Sequence, residues 1–261
     1  DKTGADSKVY QGSMSDFLML VIVDKTDNNY SFLPINRDTM SEVRLIQDDG
    51  TGVATAELQL CTAHWYGGDA GQSCANTVES ISKLFGGLEI DGYYAIPMDE
   101  IPKLNHSVGG VTVTLLEDFQ DIDRQMKKGE TLALSDEQAY HYIHDRYGVG
   151  DEKNTSRMKR QQQYMEAFFS KAKEKAKSDK TYVSQLFRKF EQTATTNLTV
   201  KKFSGLTNRL IKGTQKGFFE IQGTSKIGKA LGDGIDHAEF YPDKESIIDV
   251  MTKIYGLKKR K

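Results

Sequence analysis

The two cysteines of this 261-residue chain, Cys61 and Cys74, lie in the segment CTAHWYGGDAGQSC. Zinc binding would need further ligands at metal-site spacing, and His64 alone does not complete such a set. A disulfide that closes this short, glycine-rich loop fits better and would contribute about 3 kcal/mol in the chain-entropy account. It would also indicate an oxidising, extracytoplasmic setting. The alternative is two unpaired, buried thiols in a cytosolic protein.

An Arg-Asp pair, Arg37 and Asp38, ends a strand-like apolar run in the segment SFLPINRDTM. Charged residues commonly mark the point where a buried strand reaches water, which is one interpretation of this pair. The other interpretation is that the arginine serves a site at the end of the strand. The surrounding sequence has to decide between the two.

A β-hairpin is predicted to position this pair. The apolar run from Phe17 to Val23 is followed by the turn residues Asp27–Asn29 and then by a second strand-like run. The unbroken apolar character predicts that the first strand is buried on both faces. Asp16 and Arg37 lie near the two open ends of this hairpin, so we expect them to face the same site.

Helical patterns alternate with the strands. CANTVESISKLFG has apolar residues at helical spacing and is closed by Gly86-Gly87. LSDEQAYHYIHDRY opens with Ser135 and Gln138 at capping-box spacing. SRMKRQQQYMEAFFSKAKEKAK has an apolar face and a lysine-rich end that is predicted to be solvated. The alternation, without a repeat or a long linker, predicts one layered α/β or α+β domain over residues 1–261.

Composition and charge exclude several classes of protein. The chain has 35 Lys and Arg against 37 Asp and Glu, a net charge of −2, so it has no global positive field to hold nucleic acid. No apolar run approaches the roughly 18–20 residues that span a bilayer, and the start DKTGADSK lacks the features of a signal peptide. Because the sequence begins at Asp1 without methionine, we expect further residues upstream, including a membrane anchor.

Eight pieces of sequence occur in the order and rough spacing of the LytR-CpsA-Psr family of cell-wall enzymes, so the chain resembles that family. They are GAD, SDFLMLVIVD, INRDTM, YGG, ANTVESISKLFG, SVGGVTVTLLEDF, LSDEQAYHYIHDR and RMKRQQQ. One piece alone is a weak signal, whereas eight in order are specific. The resemblance is clear over about residues 4–170, and residues 171–261 are expected to complete the fold with further helices and strands.

The resemblance implies a single-domain α/β/α-type sandwich, in which a central mixed sheet is flanked by helices. It implies a Mg²⁺-dependent phosphotransferase that moves a polyprenyl-pyrophosphate-linked glycopolymer, of the teichoic acid or capsule type, onto peptidoglycan. Such a domain is extracytoplasmic, faces the cell wall and is tethered to the membrane by an N-terminal helix. The lipid tail would occupy an apolar channel in the fold.

The resemblance also assigns a pyrophosphate site. A guanidinium fork can meet the oxygens of a phosphate bidentately, whereas a lysine approaches only as a point charge. Arg37, Arg146 and Arg157 match arginines of the family's phosphate site, with Arg37 and Arg146 also expected to act in catalysis. Gln161 matches a further position and lies four residues after Arg157, on the same helical face. Asp38 is expected to orient Arg37 or to cap the local backbone.

Asp6 and Asp16 match the family's metal-binding aspartates. Hard oxygen ligands that supplement phosphate oxygens are what Mg²⁺ prefers, and Mn²⁺ is the alternative. Asp16 is expected to be part of the catalytic machinery, since catalysis would be mostly electrostatic clamping and positioning. The general base is either Asp16 or another carboxylate.

Four positions depart from the family pattern by losing a basic residue. Met14, Ser41 and Gln59 stand where an arginine or lysine is common, and His144 replaces the first arginine of an Arg-x-Arg pair. His144 could still bind the pyrophosphate if protonated. Two other functions therefore stay open: a non-catalytic envelope-binding or regulatory homologue that binds polyprenyl diphosphate, and a pyrophosphatase that acts on lipid diphosphates.

Overall fold

A computed structural model describes residues 12–47 and 49–256 of the chain. The strands are β1 (Leu18–Val23), β2 (Tyr30–Ile35), β3 (Met40–Ile46), β4 (Gly52–Gln59), β5 (Tyr94–Ala95), β6 (Thr112–Thr114), β7 (Thr131–Ala133), β8 (Thr195–Thr196), β9 (Gln215–Phe218), β10 (Gly223–Gly228) and β11 (His237–Pro242). The helices are α1 (Ala70–Leu84), α2 (Ile101–Val108), α3 (Asp136–His144), α4 (Asn154–Ser178), α5 (Tyr182–Lys189), α6 (Val200–Lys212) and α7 (Lys244–Tyr255), with 3-10 turns at Leu60–His64 and Met98–Glu100. Among these described helices, none is both long and apolar enough to cross a membrane.

A three-stranded mixed sheet lies at the centre, with β2 between antiparallel β1 and parallel β9. The predicted hairpin is confirmed, since Leu18 pairs with Ile35 and Val23 with Tyr30. The predicted burial of the first strand is wrong. All of β2 is buried, whereas β1 is half-buried and Val21 is 42% exposed. The reason is that β1 is an edge strand of this sheet, while β9 covers the other edge of β2.

Helices cover both faces of this sheet. Phe32 of β2 stacks on Phe169 of α4, with ring centroids 4.7 Å apart, and on Phe218 of β9 at 4.8 Å. Ile35 packs with Ile81 of α1 in a separate apolar cluster. Since residues of odd and even number point to opposite faces of a strand, α4 and α1 lie on opposite sides of β2. The single-domain α/β fold with helices around a mixed sheet is therefore confirmed.

The remaining strands form small antiparallel ladders rather than extending the central sheet: β3 with β4, β5 with β8, β6 with β7 and β10 with β11. A four-residue turn after β2 leads directly into β3, and a parallel bridge joins Thr39 of that turn to Phe240 of β11. The turn that carries the Arg-Asp pair is thus tied to strands from both halves of the chain.

Helices α3 and α4 position the predicted site residues that follow β7, which are His144, Arg146, Arg157 and Gln161. The predicted capping box of α3 is confirmed, because Gln138 N donates to Ser135 Oγ at 3.2 Å and Ser135 N donates to Gln138 Oε1 at 3.0 Å. Tyr164 and Phe168 of α4 are buried in the largest apolar cluster, which also contains residues of α2, α3 and β6. This packing fixes the start of α4 beside the end of α3.

The lysine-rich end of α4 is solvated only in part. Lys171 donates a hydrogen bond to the carbonyl of Gly110, Lys173 donates to Gly213 O at 2.8 Å, and Lys175 donates to Ser107 O at 3.1 Å. Lys171 and Lys173 are half-buried and bind backbone carbonyl groups of neighbouring segments, whereas Lys175 and Lys177 are exposed, as the solvated face predicts. The long apolar stem of a lysine allows its ammonium group to reach such a carbonyl.

Candidate functional site

Asp16 and Arg37 meet at the open end of the β1–β2 hairpin. Asp16 lies two residues before β1 and Arg37 two residues after β2, and the pairing of Leu18 with Ile35 brings them opposite each other. Arg37 Nη1 donates to Asp16 Oδ1 at 2.6 Å. The adjacency predicted from the hairpin is therefore confirmed.

Arg157, in the first turn of α4, joins the same carboxylate. Its Nη1 donates to Asp16 Oδ1 at 3.1 Å and to the carbonyl of His144 at 3.2 Å. The side chain is only 4% exposed, and this burial lowers the pKa of Arg157 while the charge of Asp16 raises it. One carboxylate oxygen thus holds two guanidinium groups together and offsets their mutual repulsion.

Two buried asparagines fix the orientation of Arg157. Asn154 Oδ1 accepts from Arg157 Nε at 3.2 Å and from Nη2 at 2.9 Å. Asn154 Nδ2 in turn donates to Asn36 Oδ1 at 2.8 Å, which connects α4 to the residue before Arg37. Sequence reasoning missed both asparagines. The available signals were the position of Asn36 beside Arg37 and the i, i+3 spacing of Asn154 and Arg157.

Asp38 brings a second carboxyl group to this place. Its side chain is 12% exposed, and its Oδ1 lies 3.9 Å from Arg37 Nε, an atom without a hydrogen-bond partner in the described part of the chain. Its backbone N–H donates to Asn36 Oδ1 at 3.0 Å. Burial raises the pKa of Asp38, and the charges of the surrounding arginines oppose that rise. Asp38 therefore takes up a proton more readily than an exposed aspartate.

Arg146 completes what we call the arginine cluster: Arg37, Arg146, Arg157, Asp16 and Asp38. Its charge acts on both Asp38 and Arg157. Within residues 12–47 and 49–256, Arg146 has no carboxylate within 4.0 Å. With both aspartates ionised the cluster carries one net positive charge, so it can bind an anion.

The half-exposed Arg146 side chain packs against the neighbouring residue Tyr147. It lies over the ring of Tyr147, 4.5 Å from the centroid, and donates to the hydroxyl of that residue. A guanidinium group has five N–H donors, and this contact leaves several of them free for a ligand. Arg146 is therefore the arginine of the cluster that an incoming anion can reach most easily.

His144 lies at the end of α3, next to Arg146. Its Nδ1 is 2.9 Å from Asp145 Oδ1, while His141 Nδ1 is 2.7 Å from Asp145 Oδ2. Burial opposes the shift, but these two hydrogen bonds lower the pKa of Asp145. The His144 ring stacks on Tyr140 with centroids 4.8 Å apart. Its Nε2 is the ring nitrogen left for a ligand.

Gln161 lies in α4, one turn after Arg157, as its spacing predicts. It is buried, and its Nε2 donates to the carbonyl of Ile143, so it links α4 to α3. Its role in pyrophosphate binding stays a prediction. Arg160, which the sequence reasoning did not select, is also buried between these helices. Its Nε lies 2.9 Å from Glu117 Oε2, and it donates to the carbonyl of Asp145.

Three of the positions that depart from the family pattern, Met14, Ser41 and Gln59, are covered by the structure. Met14 Sδ accepts from Arg37 Nη2 at 3.2 Å, so the thioether occupies a place beside the guanidinium. Ser41 and Gln59 are buried in β3 and at the end of β4, and Ser41 Oγ and Gln59 Oε1 have no hydrogen-bond partner among the described residues. Ser41 and Gln59 thus place neutral polar side chains where little water is available.

The predicted disulfide is wrong, because Cys61 and Cys74 are both free and buried. The segment folds as a 3-10 turn followed by α1 rather than as a loop, and this gives each thiol its own neighbours. Cys61 lies beside Arg37, while Cys74 Sγ is 3.6 Å from His64 Nε2. Burial raises the pKa of Cys61 and that of Cys74, the latter to about 11.

The predicted metal ligands are only partly covered by the structure. Asp6 lies outside the described residues, and within them no group of three or more His, Cys, Asp or Glu side chains could hold a metal ion. Asp16 Oδ1 is occupied by two arginines, but its Oδ2 makes no hydrogen bond to the described residues. A single free carboxylate oxygen suits Mg²⁺, which commonly combines one or two carboxylates with phosphate oxygens and water.

Comparison with known proteins gives a family. The model of the LytR_cpsA_psr family matches residues 3–254, which extends well beyond the motifs that end near residue 170. No curated protein matches the chain.

Solved structures support the same fold. B. subtilis TagV superposes with a TM-score of 0.71 at 22% identity, over 95% of this chain and 90% of that one. The Lin1025 protein of Listeria innocua gives 0.64 at 20% identity, over 95% and 97%. TagT bound to LIIa-WTA gives 0.67 at 20% identity, over 93% and 85%. At such identities the similarity shows the fold alone.

Proposed function

The chain belongs to the LytR_cpsA_psr family, and from this premise we propose that it is a phosphotransferase that moves a glycopolymer from a polyprenyl pyrophosphate carrier onto peptidoglycan. The observation that carries the proposal is the arginine cluster, in which Arg37 and Arg157 from separate motifs both bind Asp16 and the charge of Arg146 acts on the neighbouring Asp38. The structural relative TagT is bound to LIIa-WTA, which supports a wall teichoic acid as the class of glycopolymer. We also propose that the protein faces the cell wall and is anchored to the membrane.

The pyrophosphate would bind where the cluster still has free donors. Arg146 is half exposed and has no carboxylate partner in the described part of the chain, while Arg37 Nε is buried and has no hydrogen bond there. His144 Nε2 can add a third donor when the ring is protonated. Arg157 is buried and engaged with Asn154, so its contribution is charge and the positioning of Asp16.

The transfer breaks one phosphorus–oxygen bond and forms another. A hydroxyl group of peptidoglycan attacks the phosphorus that carries the glycan, and the bond from that phosphorus to the bridging oxygen breaks. Polyprenyl monophosphate leaves, and the glycan becomes attached through a phosphodiester. The arginines stabilise the negative charge that grows on the phosphoryl and leaving-group oxygens.

Asp38 is the carboxyl group we propose to accept the proton of the attacking hydroxyl. Its pKa is raised by burial, which makes it a better base than an exposed aspartate. Asp16 is less suited, since two guanidinium groups already bind its Oδ1. Fixed hydrogen bonds on the backbone of Asp38 keep the carboxyl group beside Arg37.

Mg²⁺ or Mn²⁺ is the cofactor we propose. Asp16 Oδ2 would hold it, together with Asp6 if the family resemblance extends to that residue. Bound there, the cation supplies positive charge that the diphosphate needs, because a pyrophosphate diester carries two negative charges and the cluster only one net positive charge. The arginines and Asp38 do the binding and the proton transfer described above.

A transfer assay tests the proposal. Purified protein is incubated with a polyprenyl-diphosphate-linked glycan and peptidoglycan, and glycan on the peptidoglycan is measured with Mg²⁺ and with EDTA. Arg37→Ala is expected to lower the transfer rate at least tenfold, whereas Arg188→Ala, which removes an exposed arginine of α5, leaves it unchanged. Equal rates for the two variants would contradict an active site at the arginine cluster.

One observation favours a second function, that of a non-catalytic protein that binds polyprenyl diphosphate. Met14, Ser41 and Gln59 are neutral where the family commonly has cations, and Met14 contacts Arg37 directly. A binding protein would show diphosphate affinity that depends on Arg37 but no transfer and no release of polyprenyl phosphate. A pyrophosphatase would release it with water as the acceptor.

A further inference from the structure

An open cavity of about 420 Å³ lies where the C-terminal end of α4 meets the start of α5. Its lining includes Ser107, Lys175, Ser178, Tyr182, Gln185 and Lys189. Lys175 follows Arg157 by eighteen residues on the same helix, which is about 27 Å at the α-helical rise, so the cavity is separate from the arginine cluster. Its volume lies in the range of small-molecule sites, roughly 300–1,000 Å³.

The ammonium groups of two lysines line this cavity, and each donates one hydrogen bond to a backbone carbonyl. Lys175 Nζ donates to Ser107 O at 3.1 Å, and Lys189 Nζ is 3.5 Å from the carbonyl of Lys103. Each ammonium group has three N–H donors, so at least two remain on each lysine. Asp179 also lines the cavity, and its Oδ1 is engaged by the N–H and the hydroxyl of Thr181. The lining therefore carries a net positive charge.

Tyr182 adds a buried donor without a partner. The residue is 9% exposed and lines the cavity, and its hydroxyl has no hydrogen bond among the described residues. Burial raises the pKa of Tyr182, and the nearby hydroxyl of Ser107, which donates to Leu104 O at 2.6 Å, partly opposes that rise. A buried polar group without a partner is costly, and a ligand in the cavity would remove that cost.

The other polar groups of the lining are mainly acceptors. Ser178 Oγ donates to Lys175 O at 2.9 Å, which leaves its lone pairs free. Gln185 Nε2 donates to Thr181 Oγ1 at 2.9 Å, which leaves its carbonyl oxygen. Lone pairs at the rim of a positively charged cavity suit a ligand that has both hydroxyl donors and an anionic group.

We propose that this cavity binds an anionic carbohydrate unit, with its phosphate or carboxylate on Lys175 and Lys189 and its hydroxyl groups on Tyr182, Ser178 and Gln185. The anionic group could belong to a phosphodiester polymer or to an acidic sugar, and both offer the same chemistry to the two lysines. The site stands independently of the proposed transfer reaction, since no residue of the arginine cluster lines it.

Calorimetric or NMR titration of the whole chain with glycerol 3-phosphate, glucuronate and glucose tests the proposal. At least one of the two anionic probes is expected to bind at least tenfold more tightly than glucose. Binding of the phosphate probe alone identifies a phosphodiester polymer as the source, and binding of glucuronate alone identifies an acidic sugar. If neither anion binds more tightly than glucose, the proposal is overturned.

Three variants separate a formed site from diffuse electrostatic attraction. Lys189→Gln is expected to weaken the anionic probe about tenfold or more, since a charge-assisted hydrogen bond is lost. Lys177→Gln makes the same change of charge on α4 outside the lining and should weaken it less than twofold. Equal weakening by both lysine variants would mean that no site exists.

Tyr182→Phe removes only the unpartnered hydroxyl. It is expected to weaken the probe severalfold while the melting temperature of the ligand-free protein stays the same or rises, because no protein hydrogen bond is broken. A lower melting temperature with unchanged probe affinity would show that the hydroxyl serves the fold and would overturn its place in the site.

Discussion

Replacing Asp16 by Asn is the change that most directly perturbs the arginine cluster. The variant keeps an oxygen at the place where Arg37 Nη1 and Arg157 Nη1 donate, at 2.6 and 3.1 Å, but it removes the negative charge between them. Arg157 is almost fully buried, so its charge would lose its nearest counter-charge in a place that water cannot reach. We therefore expect Asp16→Asn to destabilise the fold.

The magnitude follows from the burial of the three side chains. Breaking a fully buried ion pair costs about 3–5 kcal/mol, and here Asp16 is 23% exposed and the neutral hydrogen bonds survive. About 2–3 kcal/mol is then a reasonable loss of unfolding free energy. For a chain of this length, that corresponds to a fall of roughly 4–10 °C in melting temperature.

Differential scanning calorimetry measures this shift, with Asp121→Asn as the matched control because Asp121 is exposed. A second readout is titration with inorganic pyrophosphate in EDTA. The variant cluster carries one more net positive charge, so we expect metal-free Asp16→Asn to bind pyrophosphate more tightly than the wild type. If Asp16→Asn melts within 1 °C of Asp121→Asn and its affinity is unchanged, Asp16 does not hold the two guanidinium groups together.

Three further predictions concern the neighbouring residues. Arg37→Ala should weaken binding of a soluble diphosphate analogue by about tenfold or more in calorimetry, against less than twofold for Arg188→Ala; equal losses would mean that no formed site exists. Burial raises the pKa of Asp38 above 3.8, so the carboxyl group holds its proton more tightly in the folded protein than in the unfolded chain. Its contribution to stability therefore declines as the pH rises through the pKa of the folded state. Asp38→Asn should therefore become more stable relative to the wild type from pH 4 to pH 7 in urea unfolding, and a constant difference would contradict a buried carboxyl group. Thiol titration of the unreduced, denatured chain should give two free thiols, from Cys61 and Cys74. Detection of no free thiol would show that the two cysteines form a disulfide.

The parts of the fold set by nearby residues could be predicted from the sequence. The β1–β2 hairpin follows from an apolar run, a turn and a second run, and the Ser135 capping box sets the start of α3. The pairing of Asp16 with Arg37 follows from the same hairpin. Each of these depends on residues that are close in sequence or on one strand register.

Parts that depend on distant segments could not be predicted. Strand β9 pairs with β2 across more than 180 residues and makes β2, rather than β1, the most buried strand. The carbonyl of Gly110 accepts a hydrogen bond from Lys171 because α2 and α4 pack together. The Asn36–Asn154 hydrogen bond joins the hairpin to α4 across 118 residues, and the local position of each asparagine does not reveal that the two meet.

The proposed activity is the transfer of a glycan phosphate from a lipid carrier to peptidoglycan. The most direct measurement is the product balance of one reaction, with the glycan labelled and polyprenyl monophosphate quantified by chromatography. We expect one labelled glycan on peptidoglycan for each polyprenyl monophosphate released, and we expect the yields of both products to fall by the same factor in Arg37→Ala. Release of polyprenyl monophosphate with the label in free glycan phosphate, or tight diphosphate binding with neither product, would contradict it.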